Sequence, residues 1–494
     1  MDKEFWFSKK SKQFLKNIDT FYYSIFLEED MTRISDSHAV YKLRAFCDSL
    51  KSVTDDKPVT FGEHTVIYQT GRFSVYNYRF SSPDFFDFFV APVVNTNDTP
   101  AFVMQLRSRS LWEDGVYSAY HASFSFVQAF CKKFGLHIRE VKENRCDFAC
   151  HSNYLQDPER FFDRDHFVKM WVGRVGRTKE HTKHYMTHIT VYDDDSTETD
   201  YIAIGSRGSK CFIRIYLKTK EVIQEGYKGF FLKLWQLSGL ISRYDLWCLE
   251  EAYKRKSWAY LDFARLEWLL ENDEDLCLEI RYEITAALNA EKPDINLIHK
   301  LAKKYTMPVT KIFNVEFQCM RDMSKSFQLL PRNNDGCVDQ RVLDYLDNYS
   351  LIYDYLTTES FRLVRPDQND SNRARCEDCE FWKRLKAAKT VDFKRKHKDR
   401  KLIRKYSSNV SLEMRKKRAM NALSSFGYAV NHNSKTIMSD AELFLSMLND
   451  NDIEAISKHK KKLQMRNTED IPDEQKRFRS VYFLYDPENE QFYD

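Results

Sequence analysis

Tyr201-Ile-Ala-Ile-Gly-Ser-Arg-Gly-Ser-Lys-Cys-Phe-Ile-Arg-Ile-Tyr-Leu-Lys-Thr-Lys-Glu221 reads as two strands joined by a Gly/Ser turn. The second strand sets Arg214, Tyr216, Lys218 and Lys220 at alternate positions, so they share one sheet face while Ile213 and Ile215 point to the other. A tyrosine hydroxyl held between cations on a rigid strand suits nucleophilic attack on phosphorus, because fixed positive charge stabilises the transition state. The same pattern describes an exposed basic strand with one aromatic. The residues alone leave both readings open.

Outward from that hairpin the pattern stays mixed. Ile18 to Leu27 reads as a buried strand, and Ser37 to Leu50 as a helix with Val40, Leu43, Ala45 and Phe46 on roughly one face. Thr65 to Phe80 alternates on either side of Thr70-Gly71, a predicted hairpin, and Pro100 to Leu106 reads as another strand. Ala119, Ala122, Phe126, Phe130 and Phe134 recur at helical spacing, with Gly135 where a C-terminal cap belongs. Ile138 to Val141 and Arg145 to His151 return to strand alternation. This mixture predicts an α+β fold: an antiparallel sheet with helices packed on it, followed by a mainly helical, basic C-terminal region.

Tyr227 to Asn272 is largely helical and Trp-rich and reads as an insertion. In Leu276-Cys-Leu-Glu-Ile-Arg-Tyr-Glu-Ile284 apolar and polar residues alternate, which predicts a half-buried strand presenting Glu279, Arg281 and Glu283. Asp294 to Phe313 fits a helix-turn-helix or a plain helical hairpin. Lys383 to Arg418 holds sixteen Lys/Arg against three acids, with Phe393 and Tyr406 interleaved. That favours phosphate contact through Lys383, Arg384, Lys394, Arg395, Lys396, Arg404 and Lys405, joined by Arg207 in the Gly/Ser turn. The predicted division is 1–290 for the sheet domain with its insertion at about 227–272, 291–365 for a helical segment, and 366–494 for the basic region.

A chain of 494 residues calls for roughly two to four domains. With 30% charged and 15% aromatic residues but only 13 Gly and 11 Pro, it is globular and helix-rich rather than disordered. A formal charge of +4 is too small to name a partner. No apolar run approaches the ~18 residues of a membrane span, and the N-terminus lacks a signal-peptide core, so a cytoplasmic protein is expected. The 11 cysteines, several inside apolar runs (Cys131, Cys146, Cys150, Cys248, Cys277), read as reduced core thiols.

Other constellations are weaker. Asp147 and His151 share a strand face, but four residues at ~3.3 Å each place them roughly 13 Å apart, too far to share one ion on a straight strand. His181, His184 and His188 match no standard zinc spacing, Cys376-Glu-Asp-Cys379 has no second pair nearby, and no P-loop glycines precede a Lys-Ser/Thr.

The order of the Arg145-x-Asp147-x-Ala149 strand, the Gly205-Ser-Arg-x-Ser209 turn, the Ile213-Arg-Ile-Tyr216-x-Lys218-x-x-Glu221 strand and a later Arg-x-Glu strand resembles the replication initiation factor family. Its members start rolling-circle replication of plasmids and some phages, and related relaxases nick transfer origins. The likeness spans about residues 17–290 and is most specific over Gly205–Glu221. Asn372-Arg-Ala-Arg375 and the following Phe381-Trp-Lys-Arg384 carry it further. It implies Tyr216 as nucleophile, with Arg214, Lys218 and Glu221 assisting. It also implies a divalent metal (Mg2+ or Mn2+) on Asp147 and Glu283, with His151 standing where the family usually has an acid. Arg265-Leu-Glu267 is the other Arg-x-Glu, set aside for lying in a helical pattern. The implied partners are a replication or transfer origin, single-stranded at the nick, and host helicase and polymerase. A DNA-binding regulator without the chemistry is the remaining alternative.

Overall fold

The computed structural model describes residues 14–32, 37–51, 56–69, 75–155, 164–191, 197–325, 327, 329, 336–366, 372–390, 402–405, 412–458, 481–486 and 491–492, less positions 84, 174, 176–184, 208, 431 and 433–435. The chain forms two units, Met1–Ser324 with Pro331–Lys398, and Lys325–Leu330 with Asp399–Asp494. The fold is α+β, as expected.

The first unit is built on β1 (Phe14–Leu27), β2 (Lys57–Phe61), β3 (His64–Gln69), β4 (Tyr78–Ser82), β5 (Phe86–Val90), β6 (Phe102–Leu106), β7 (Ile138–Ser152), β8 (Trp171–Gly173), β9 (Tyr185–Val191), β10 (Thr197–Ile204), β11 (Cys211–Leu217) and β12 (Phe313–Met320). All but β8 join one sheet in the order β2-β3-β4-β5-β6-β1-β7-β12-β11-β10-β9, with Lys389–Thr390 added beside β1. The ladders along that order are antiparallel. β8 pairs separately with Phe361–Leu363.

One sheet face is apolar. At its N-terminal half Phe61, Phe80, Phe88 and Phe102 meet Phe126, Phe130 and Phe134 of the helix Val116–Phe134. Gly135 ends that helix at φ 76°, left-handed backbone that favours glycine. Farther along, Phe148 stacks on Tyr349 at 5.0 Å between ring centroids, and Phe317 meets Tyr353 and Trp382.

Three expectations are corrected. β11 stops at Leu217, and Lys218–Glu225 is a helix, so Lys220 leaves the face it was expected to share with Tyr216. Leu276–Ile284 is no strand: Leu278–Leu288 is a helix. Its sequence satisfies both periods, and packing decides. Ile280, Ile284, Ala287 and Leu288 join Leu266, Ile298 and Leu301 in a small core, while Leu278 and Tyr282 are left 80% and 81% exposed. Arg281 donates to the carbonyls of Leu270 and Asp273 near the end of the preceding helix Tyr260–Asn272. Third, Asp294–Phe313 is neither helix-turn-helix nor helical hairpin. Ile295–Tyr305 is one helix, and after Pro308 the chain runs non-helically into β12.

The helical insertion therefore runs from Lys218 to Tyr305 between adjacent strands of one sheet, β11 and β12. Its helices Phe230–Leu237, Arg243–Lys254 and Tyr260–Asn272 build a core with Trp112 and Ala149, which places them over the polar face of β7. The second unit contains the helices Leu412–Ala429 and Ile437–Ser446 and a three-stranded sheet of Leu402–Lys405, Val481–Asp486 and Gln491–Phe492. All 11 cysteines are free; Cys131, Cys146, Cys150 and Cys248 are buried as expected, but Cys277 is exposed before a helix. Among the described residues no helix is long and apolar enough to cross a membrane.

Candidate active site

The polar faces of β7, β12 and β11 meet at Tyr216. Register sets Tyr216 opposite Asn314, Arg214 opposite Glu316, Glu316 opposite Ala149, and Asn314 opposite His151. Because every second residue points this way, one face collects Arg145, Asp147 and His151, then Asn314 and Glu316, then Arg214 and Tyr216.

Tyr216 is only 7% exposed, and its hydroxyl uses its full hydrogen-bonding capacity. It donates to Glu316 Oε2 at 2.9 Å and accepts from Lys218 Nζ at 3.1 Å and Asn314 Nδ2 at 3.0 Å. Asn314 is oriented for this because its Oδ1 accepts the Cys150 N–H at 3.2 Å. Arg214 pairs with the other oxygen of Glu316, and its guanidinium lies 5.7 Å from the Tyr216 ring centroid. Burial, followed by the charge of Glu316, pushes the phenol well above its ordinary pKa. At rest the hydroxyl is protonated.

Lys218 is wholly buried at the first turn of the helix that follows β11. Its ammonium lies 2.7 Å from Glu221 and 3.7 Å from Asp19, and Lys228 reaches Glu221 at 3.1 Å. The spacing of Lys218 and Glu221 is helical i,i+3, so the end of the strand brings together the pair expected along it. Burial pulls the Lys218 pKa down, but Asp19, Glu221 and Glu316 outweigh it and hold the amine charged. Asp19 is drawn the opposite way: burial raises it, and Lys218 and Lys228 bring it well below the usual carboxylate range.

Asp147 lies on the same face, clasped by Arg145 at 2.8 and 2.5 Å. Burial is the main reason its pKa rises to about 7, with the neighbouring Glu316 charge adding to it. His151 is sealed in an aromatic box, stacked on Trp112 at 4.5 Å and edged by Phe231 and Trp235. Burial, then Lys218, lowers its pKa to about 3, so it is neutral.

The ligand set expected for a metal does not assemble. Glu283 lies on the exposed helix Leu278–Leu288, where it accepts from Tyr305 at 2.9 Å. His151 Nδ1 accepts the indole N–H of Trp235 at 3.1 Å, which leaves its ring proton on Nε2. Coordination through Nε2 would move that proton to Nδ1, where it would oppose another N–H. Asp147 and His151 share the sheet face of Tyr216, but Asp147 is clasped by Arg145, His151 is closed in by aromatic rings, and Glu283 lies on a helix away from that face. Among the described residues no group of three His, Cys, Asp or Glu side chains is placed to hold a metal ion.

Two site residues escaped the sequence reading, Asn314 and Glu316. Their signal is present in Phe313-Asn-Val-Glu-Phe-Gln-Cys-Met320, which alternates strictly, but it follows directly on a helical pattern that masks its start. Asp19, Trp112 and Trp235 gave no local signal, because only the tertiary fold brings them near.

The expected DNA contacts fall in several separate segments of the chain. Arg207 is exposed in the turn between β10 and β11. On the helix Glu380–Ala387, Lys383 reaches Glu377 at 2.7 Å and Arg384 reaches Glu380 at 2.8 Å. Lys394, Arg395 and Lys396 lie outside the described residues, as do His181 and His184. Arg404 and Lys405 sit on the strand Leu402–Lys405 of the second unit.

No protein-family model and no curated protein matches the chain. Among solved structures, the rolling circle replication initiator protein from Geobacillus stearothermophilus is similar over 76% of this chain and 96% of its own, at 11% identity and a TM-score of 0.33. Similarity of that degree leaves the functional reading to the site's own geometry.

Proposed function

We propose that the chain nicks and rejoins DNA to initiate rolling-circle replication, with Tyr216 as nucleophile. The observation that carries the reading is the company of one hydroxyl: Glu316 at 2.9 Å to take its proton and Lys218 at 3.1 Å to hold the phenolate. The order of motifs around Tyr216, which resembles replication initiation factors, supports the same reading.

Glu316 withdraws the phenolic proton as Tyr216 Oη bonds to a phosphorus of single-stranded origin DNA. The bond from phosphorus to the 3′ oxygen breaks, and that oxygen takes up a proton to become a free 3′-OH. The 5′ phosphate stays esterified to Tyr216. Lys218 and Asn314 stabilise the developing phenolate, and Arg214 meets the non-bridging oxygens. Attack by a 3′-OH on the phosphotyrosine reverses the sequence, and the retained ester makes ATP unnecessary.

Incubation of the full chain with supercoiled plasmid carrying its origin is expected to yield nicked circles with protein fixed to the 5′ end. Tyr216→Phe removes the adduct and keeps DNA binding; undiminished nicking by that variant overturns the assignment. A transfer-origin plasmid nicked in preference would identify a relaxase with the same chemistry. The deep burial of Tyr216, with no spare hydrogen-bonding capacity, favours a second reading, a DNA-binding regulator. Tight binding without any adduct from the unaltered chain would support it.

A further inference from the structure

The polar sheet face does not end at the site. It continues over β7, β1, β6, β5 and β4, where the register aligns Arg145 with Tyr22, Tyr22 with Gln105, Gln105 with Asp87, and Phe89 with Arg79. Over β4, β5 and β6 the helix Val116–Phe134 packs on the opposite face, and Tyr22, Phe89 and Gln105 stay partly open to solvent.

One pairing recurs along this face: a guanidinium over an aromatic ring. Arg79 lies 5.8 Å from the Phe89 centroid, Arg145 5.4 Å from that of Tyr22, and Arg214 5.7 Å from that of Tyr216. The arginines remain accessible, with side-chain exposures of 22% for Arg79, 31% for Arg107, 27% for Arg145 and 23% for Arg214. At the far end Arg79 and Arg107 both clasp the carboxylate of Asp87, at 2.8 Å each, so that two guanidiniums meet on one acid.

We propose that this face is a track for single-stranded DNA, running from Arg79, Phe89 and Arg107 over Tyr22 and Arg145 to Tyr216. Unpaired bases stack on aromatic rings and on guanidinium planes alike, and the partly exposed guanidiniums answer the phosphates. A duplex offers neither free base face nor the narrow profile this row of alternating groups suits. From β4 to β11 the track crosses six inter-strand spacings of ~4.8 Å, about 29 Å, a length that takes several nucleotides. It thus names the substrate path of the proposed reaction and rests on that reading, but binding tests it apart from nicking.

The test uses the full chain carrying Tyr216→Phe, so that DNA is bound and not cut. The probes are a fluorescein-labelled 12-nucleotide single strand of mixed sequence and the blunt duplex made from it. Tyr22→Leu and Phe89→Leu are each expected to weaken single-strand binding about 5- to 100-fold, the range for loss of one stacked base. Arg107→Gln weakens it and lowers the salt slope by about 0.7, whereas Arg107→Lys retains the slope. Thermal melts verify that the variants are folded. Affinities within twofold of the parent for both Phe89→Leu and Arg107→Gln overturn the track. Equal losses for the duplex overturn its commitment to single strands. If the unaltered chain never forms an adduct while these variants still lose single-strand affinity, the track stands and the nicking reading falls.

Discussion

β7, β12 and β11 present two faces one pleat apart. One carries Cys146, Phe148, Cys150, Val315, Phe317, Ile213 and Ile215; the other carries Asp147, His151, Asn314, Glu316 and Tyr216. Both sets are buried. The first gains about 25 cal/mol for each Å² of apolar surface removed from water. The second forgoes that gain, and each buried ion costs several kcal/mol that its partner only partly returns. Well-packed apolar residues on the second face would serve stability at least as well. Buried charge of this kind, arranged round a hydroxyl, is what marks Tyr216 and its neighbours as the candidate site.

Substitutions at neighbouring positions on opposite faces should therefore fail differently. Glu316→Gln keeps the shape and removes the proton acceptor. Adduct formation in a single-turnover assay is expected to fall about 10²- to 10⁴-fold, with single-strand affinity little changed. A loss below about tenfold would place the acceptor elsewhere. Phe317→Ala, one residue along, should cost about 3–5 kcal/mol in urea unfolding. Below its new transition, its rate per folded molecule should stay within a few-fold of the parent.

The same contrast explains what the sequence disclosed. The apolar face was legible: Phe126, Phe130 and Phe134 gave their helix, and Ile213 and Ile215 gave β11. Tyr216, Arg214, Lys218 and Glu221 were found together because a strand and the first turn of a helix keep them close. Leu276–Ile284 misled because its alternation also meets a helical period, and only its packing on Leu266 and Ile298 separates the two. Glu283 was lost with it, and Glu316, the acid that does meet the Tyr216 hydroxyl, lies beyond the whole insertion. The identity of a partner across an insertion of that length is a property of sheet register, which no local pattern records.

His151 sharpens the comparison through pH. Its folded pKa of about 3 lies below the ordinary 6.5, so from pH 6.5 down to 3 the unfolded chain binds a proton that the folded chain refuses. Its contribution is full above 6.5 and is lost as pH falls through that window. Asp147 has the opposite sign: with a folded pKa of about 7 against 3.8, its contribution is lost as pH rises from about 4 to 7. The two slopes oppose each other between pH 4 and 6.5. His151→Gln keeps an acceptor for the Trp235 N–H and removes the titration. Its unfolding free energy should then decline with rising pH in that range, changing by a few kcal/mol relative to the parent. Parallel curves for parent and variant would mean that the imidazole titrates in the folded chain.

The smallest effect is expected at Lys383 and Arg384, whose partners Glu377 and Glu380 are themselves exposed. Exposed pairs contribute about 0–1 kcal/mol, so neutralising both should leave unfolding almost unchanged. What should move is DNA affinity, with the salt slope reduced by about 0.7 to 0.9 for each phosphate that is no longer neutralised. If both affinity and slope hold, these charges are only a solvated helix face. Strand recognition would then fall to Arg79, Arg145 and Arg214 of the sheet, each bound to a carboxylate and lying beside a ring.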